Sequence, residues 1–271
     1  MRNFTFSFLA LAFAINVSAT SPSVEKPHNE VIKVMEEAMA ESDLPAVVAI
    51  AINSKGHRIE YAYGALNWGK SEPIKTSSIF RIHSMTKIVT SIAAMQLVEQ
   101  GKVELDHDLS ELLPEMAKIP ILQKDGKLVE AKVGITLRHL LTHTAGFGYP
   151  NRTYKLSDKF DASEWKYEDF PRQFESGTEY LYGTNTDWAG KLVEKISGMT
   201  LERYFKKKIF KPLGIKSTYF NVPKKEYKRI VSMGNRGTDG KGPLKEIDGD
   251  EVSPSRYPKE KLTNFSGGGG V

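Results

Sequence analysis

The chain contains no cysteine, which excludes disulfides, thiol nucleophiles and zinc–thiolate sites whatever the compartment. Long hydrophobic runs are also scarce. The first, Phe4 to Val17, is too short and too poorly flanked to span a bilayer, and no later stretch approaches the roughly 18 continuous apolar residues that spanning needs. Charge of one sign is lacking as well: 38 Lys and Arg face 33 Asp and Glu, for a net charge of +5. The densest basic run, Lys206, Lys207, Lys208 and Lys211, reads as a solvated helix face. No aromatic residues are interleaved with it, so nucleic acid is not an expected partner.

What is present begins with a leader. Arg2, the apolar run and the small-residue ending Val17-Ser18-Ala19 form a signal peptide over residues 1–19, with cleavage expected after Ala19. The expectation is an exported, periplasmic or secreted protein with no membrane span after cleavage, and residues 20–271 are long enough to bury a sizeable core. Beyond a polar linker, Asn29 to Met39 carries Val31, Met35 and Ala38 at helical spacing. The β-rich runs AVVAIAI (46–52) and RIEYAYG (58–64) are joined by Asn53-Ser54-Lys55-Gly56-His57 as a hairpin. The pattern is then helical over Ser84 to Gln100, Thr136 to Thr142, Thr186 to Ser197 and Thr200 to Ile209. In the first of these, Met85, Ile88, Val89, Ile92 and Met95 form the apolar stripe. Residues 221–261, rich in Lys, Gly, Pro and acids, read as a long excursion with little regular structure.

Within IHSMTKIV (82–89) a serine and a lysine stand three apart in an apolar run. The same Ser-x-x-Lys spacing occurs at Ser23 and Lys26, in a Pro-flanked linker, and at Ser163 and Lys166, in a charged stretch; neither offers a dry, rigid setting. Ser84 opens a helix, and Lys87 lies within reach on the same face. A lysine that takes a serine's proton must come down from about 10.4 to a useful 7 to 8, a gap of roughly 3 pH units. A helix dipole contributes too little for that, so desolvation has to supply most of it. The residues alone also allow a capping Ser84 and a snorkelling Lys87.

FRIHSMTKIVTSIAAMQLVEQGKVELDHDLSELLPEM, ITLRHLLTHTAGF, ESGTEYLYGTNTDWAGKLVEKISG and IFKPLGIKSTYF, in this order, resemble the serine β-lactamase and penicillin-binding-protein superfamily. The likeness is greatest to its class C branch, which also holds serine esterases and D-amino acid peptidases. The resemblance implies an α/β (α+β) fold of two lobes, one helical and one an antiparallel sheet flanked by helices. Residues 20–79 would begin the α/β lobe and 80–271 would form the mainly helical lobe. It further implies Ser84 as the acylated nucleophile, Lys87 as its lysine, and Tyr182 as the phenol that shares the base role and later protonates the leaving group. No cofactor is implied.

Two departures from the family pattern stand out. Thr184 occupies the substrate-binding position at which β-lactamases carry an asparagine, with Asn185 one residue late, which favours an ester over a lactam. The third motif, a Lys-Thr-Gly or His-x-Gly strand, does not occur before Val271, so the expectation is a truncated member with an incomplete sheet. The reading is an exported serine hydrolase acting on an ester, a β-lactam or a D-amino acid peptide; the alternative is an impaired remnant or binding protein. Residues 266–270, SGGGG, read as a tail, a phosphate loop or the family's Gly-rich turn. His139 and His143, four apart, offer two metal ligands without a third. Asp106 and Asp108 read as helix-start acids, Trp165 and Tyr167 as pocket or packing residues, and Tyr180 as an aromatic packing residue.

Overall fold

The computed structural model describes residues 29–149, 169–237, 242–246 and 261–271. The leader, Ser23, Lys26, Ser163, Trp165, Lys166 and Tyr167 lie outside these residues. The chain divides into two compact units, Met1–Thr76 with Lys241–Leu244, and Ser77–Gly240 with Lys245–Val271.

The smaller unit opens with α1 (Asn29–Glu41). Its less exposed stripe runs through Ile32, Met35 and Met39, while Val31 and Ala38 are exposed; the stripe is rotated by about one residue from the expected one. The predicted hairpin is present as β1 (Ala46–Ile52) and β2 (Arg58–Gly64), antiparallel with Ala46 opposite Gly64 and Ile52 opposite Arg58. Its turn is made by Asn53, whose side-chain oxygen accepts from the N–H groups of Lys55 and His57 at 2.9 and 3.0 Å. That local competition for backbone donors is what makes Asn a turn residue. Glu60 ties the sheet face to the loop beyond, pairing with Arg58 and accepting the Thr76 hydroxyl at 2.7 Å.

In the larger unit a 3₁₀ turn, His83–Met85, leads into α2 (Thr86–Glu99). The helix is where the sequence places it, but with the opposite face inward. Thr86, Lys87, Thr90, Ala93, Ala94 and Leu97 are buried, whereas of the expected stripe Met85, Ile88, Ile92 and Met95 are exposed and Val89 is half-buried against the core. Small residues decide this. Ala93 and Ala94 on α2, and Ala189 and Gly190 on α5 (Asn185–Ser197), are all buried, and the two helices pack on each other. The core continues through Leu109, Leu113 and Met116, the last on the short helix α3 (Pro114–Ala117), and through Leu137 and Leu140 of α4 (Leu137–Leu141). It closes on α6 (Leu201–Tyr204) and the π-turn Phe205–Phe210, where Phe205 packs against Phe210 and Phe220 with ring centroids 5.8 and 5.4 Å apart. Thr200 caps α6 by accepting from the Arg203 N–H.

Short antiparallel pairs, β3 (Ile121–Leu122) with β4 (Leu128–Val129) and β5 (Gly234–Asn235) with β6 (Lys245–Glu246), complete the sheet structure among the described residues. The excursion beyond Asn221 is less irregular than expected, since Lys224–Arg229 forms a 3₁₀ helix. Neither acid of ELDHDL is at a helix start: Asp106 lies in a turn and Asp108 in an isolated antiparallel bridge with Thr136. Asp106 forms a two-pronged ion pair with Arg138 at 2.6 and 2.8 Å, and Asp108 accepts the Ser110 N–H. The arginine holds the Asp106 carboxyl below its usual range.

The glycine run is a turn docked on α2 and α5. Thr90 donates its hydroxyl to the Gly267 carbonyl at 2.7 Å, Val271 N–H donates to Thr86 Oγ1 at 3.2 Å, and Ile82 N–H donates to the Val271 carbonyl at 3.0 Å. A Cβ at Gly267 would lie 2.6 Å from the Thr186 carbonyl and 3.2 Å from Gly190 Cα, a clash with backbone that no side-chain rotation relieves. Gly267→Ala is therefore expected to destabilise the larger unit by about 1–3 kcal/mol, read as a lower urea midpoint. An unchanged midpoint would show that the turn does not seat this tightly.

Candidate active site

Ser84 and Lys87 straddle the start of α2, where unpaired N–H groups leave a partial positive charge. The residue before the serine, His83, has φ 44°, a backbone conformation uncommon for a residue with a Cβ. Ser84 sits exposed in the 3₁₀ turn and Lys87 is buried one turn later. Lys87 Nζ donates to Ser84 Oγ at 3.2 Å, to the Tyr149 hydroxyl at 3.3 Å and to the Gly268 carbonyl at 2.7 Å. Three acceptors for three N–H groups is the arrangement an ammonium makes. The ring of Tyr182 lies 4.7 Å from the same nitrogen.

Tyr182 is delivered by a loop bound to the segment after α4. Leu181 N–H donates to the His143 carbonyl at 2.8 Å. Gly183 lies so close to Phe147 and Gly148 that a Cβ there would come within 2.3 Å of the Phe147 carbonyl. Asn185, fully buried at the first turn of α5, donates its amide to the carbonyls of Phe147 and Leu181 at 2.9 and 3.1 Å and contacts His143 Nδ1 at 3.1 Å. Burial alone would raise the Tyr182 phenol. The adjacent Ser84 hydroxyl, the Lys87 ammonium and Tyr149 outweigh it and hold the phenol below its usual value.

The structure thus brings Ser84, Lys87 and Tyr182 together. Thr184 is 2% exposed at the N-cap of α5, and among the described residues no hydrogen bond joins it to those three. Tyr180 is exposed, edge-on to His143. The two imidazoles do not form a helical pair, because α4 ends at Leu141 and His143 follows with φ 58°. His139 Nδ1 accepts the Thr136 N–H in a capping box, and among the described residues no group of three His, Cys, Asp or Glu side chains could hold a metal. The sequence places Asn185 only as one residue late and gives no role to Tyr149 or to the Gly268 carbonyl. The one cue it held was a polar side chain, Asn185, entering a helix that buries Trp188, Ala189 and Leu192. The Gly268 carbonyl is aimed by Asp187, whose Oδ1 accepts from the Gly268 N–H and the Ser266 hydroxyl at 3.1 and 2.5 Å.

Residues 31–271 match the model of the Beta-lactamase family, and the chain belongs to that family. It is 34% identical over 208 residues, 69% of its own length, to monacolin J acid methylbutanoyltransferase of Aspergillus terreus, of which this covers 50%. It is 32% identical over 204 residues, 68% of its length, to lovastatin esterase of Penicillium rubens, of which 51% is covered. A mutant of simvastatin synthase (LovD) from Aspergillus terreus superposes with a TM-score of 0.77 at 30% identity, covering 86% of this chain and 59% of that one. The fold is accordingly the β-lactamase-like α/β class. The chain spans about half the length of the curated relatives it matches.

The histidine against Tyr182 has a pH consequence. His143, with its ring 4.6 Å from that of Tyr182, is pushed down to about 4 by burial and by the nearby Lys87 charge. A base whose folded pKa lies below its ordinary 6.5 binds a proton more readily unfolded. Its contribution to stability is therefore complete above about pH 6.5 and is lost progressively between there and about pH 4. The His143 ring resonances should titrate near 4, and the fall in urea midpoint across this window should be shallower in His143→Gln. Ring titration near 6.5 would contradict the geometry.

Proposed function

We propose that the chain carries the acyl-transfer centre of an exported serine hydrolase that takes ester substrates through an acyl-serine intermediate. The observation that supports this most directly is the buried Lys87 nitrogen within 3.2 Å of an exposed Ser84 hydroxyl, with a phenol of lowered pKa beside both. Ser84 Oγ attacks the acyl carbonyl and its proton passes to Tyr182 in its phenolate form, which the adjacent Ser84, Lys87 and Tyr149 make more accessible by lowering the phenol's pKa. When the tetrahedral adduct collapses, the bond to the leaving alcohol breaks and Tyr182 returns the proton to that oxygen. Water then enters by the same steps in reverse and frees the acid. An alcohol in the place of water gives transfer instead of hydrolysis, the activity named for monacolin J acid methylbutanoyltransferase.

An ester is favoured over a lactam by two considerations. One relative is named an esterase, and the residue two after Tyr182 is Thr184, which offers no carboxamide to hold a substrate amide. A site built around such an amide rejects molecules lacking it because buried partners are left unpaired, and a hydroxyl makes a weaker demand. Export rests on the leader, and the N-terminus of the mature protein is expected at Thr20.

A fluorophosphonate probe is expected to label the protein covalently, with labelling abolished in Ser84→Ala and slowed by about 10²- to 10⁴-fold in Lys87→Ala. Labelling that survives Ser84→Ala and disappears on changing Ser163 would mean that another serine is the nucleophile. Short-chain p-nitrophenyl esters should show higher kcat/KM than cephalosporins on one preparation, with Thr184→Asn narrowing the difference. If cephalosporins are turned over better by the unmodified protein, the ester reading gives way to a β-lactamase one.

A further inference from the structure

Tyr149 belongs to no part of the acyl-transfer scheme above, yet its hydroxyl is one of three oxygens on the Lys87 nitrogen. We propose that Tyr149 is a positioning residue of the site, a second phenol that accepts from Lys87 and donates to the oxygen of Tyr182, holding that oxygen in place to take the serine proton. This deepens the acyl-serine reading and rests on it.

Three features carry the inference. The first is distance: Tyr149 OH lies 3.3 Å from Lys87 Nζ, and the Tyr149 and Tyr182 rings meet edge to face with centroids 5.8 Å apart. The second is valence. A phenol that accepts from the lysine keeps its own proton to donate, and the hydrogen bond between Tyr149 and Tyr182 is among the causes that lower the Tyr182 phenol. The third is how the two rings are brought together. Gly146-Phe147-Gly148 precedes one tyrosine and Gly183 follows the other, and Gly183 fits against Phe147 and Gly148 with no room for a Cβ. Asn185 ties the same two segments through the Phe147 and Leu181 carbonyls. Two bonds and one close approach therefore fix the spacing of the phenols.

The titratable groups facing this pair come from each neighbouring element. Ser84 and Lys87 lie at the start of α2. His143, neutral at ordinary pH because of its burial and the Lys87 charge, lies against Tyr182, with Tyr180 at its far edge. The glycine turn adds the Gly268 carbonyl on Lys87. Tyr149→Phe removes the donor and keeps the ring, so Tyr182 should ionise at higher pH.

The test follows the rate of fluorophosphonate labelling of Ser84 across the neutral and alkaline range, in the unmodified protein, Tyr149→Phe and Tyr182→Phe. In Tyr149→Phe the acidic limb is expected to move up by on the order of 1 pH unit, the effect of one hydrogen bond to a charged oxygen, with the alkaline plateau nearly kept. Tyr182→Phe should lose the plateau itself. 3-Fluorotyrosine at position 149, a stronger donor of nearly the same shape, should move the limb the other way and covers the case of a Phe variant that folds badly. Superimposable profiles, or a loss of rate equal at every pH, would overturn the proposal.

A second readout separates this failure from failure of the acyl-serine reading. The tyrosinate absorbance that Tyr182→Phe abolishes should appear at higher pH in Tyr149→Phe, whether or not Ser84 reacts. Absence of labelling in the unmodified protein, with this shift present, removes the acyl-serine reading and leaves the phenol pairing standing. Labelling with no shift removes the pairing.

Discussion

A buried lysine nitrogen is the point from which the rest of the larger unit is organised. Removing an ammonium from water costs several kcal/mol even after relaxation, and the cost is tolerable only if each N–H finds an oxygen. At Lys87 the three oxygens come from three parts of the chain: the 3₁₀ turn before α2, the segment after α4, and the glycine turn 81 residues beyond Asp187 that this aspartate holds. The helix pairing of α2 with α5 serves the same end. Gly190 of α5 is seated against Gly267, which lets the same helix, through Asn185 and Asp187, hold both the tyrosine loop and the glycine turn.

This arrangement also accounts for polar groups that would otherwise be costly inside a core. Thr86 and Thr90 are fully buried on α2, yet each hydroxyl is used on the turn, one accepting from Val271 and the other donating to Gly267. Arg172, 1% exposed, spends its guanidinium on the Ile119 carbonyl and the Ser176 hydroxyl. Burial lowers its pKa, with Glu175 opposing. Buried polar groups satisfied in this way fix one geometry in preference to its neighbours, because a shifted alternative leaves donors unpaired.

The sequence shows a good deal of this and misses the rest for identifiable reasons. Hairpin and helix positions were legible because Asn53 and the apolar periodicities act locally. Motif order singled out Ser84, Lys87 and Tyr182, the three side chains that the structure brings together. Which face of α2 turns inward was not. Apolar residues occur around most of that helix, so periodicity alone marks the large Met and Ile side chains as core, while close helix packing selects the small ones. The roles of Tyr149, Asn185 and the Gly268 carbonyl were invisible for a related reason. Tyr149 meets Lys87 62 residues away, Asn185 meets Phe147 38 residues away and Gly268 meets Lys87 181 residues away, the last two through backbone carbonyls that carry no side-chain identity to read.

The Lys87–Gly268 bond spans 181 residues, and that separation sets the order of assembly. Helices and the hairpin form from neighbours, whereas closing so long a loop is deferred until enough structure exists to offset its entropy. During synthesis the turn emerges long after α2, so the lysine spends that interval hydrated and without its third oxygen. On the acyl-transfer scheme proposed above, Ser84 is therefore inert in the nascent chain. Acyl donors met before folding is complete would find an ordinary serine.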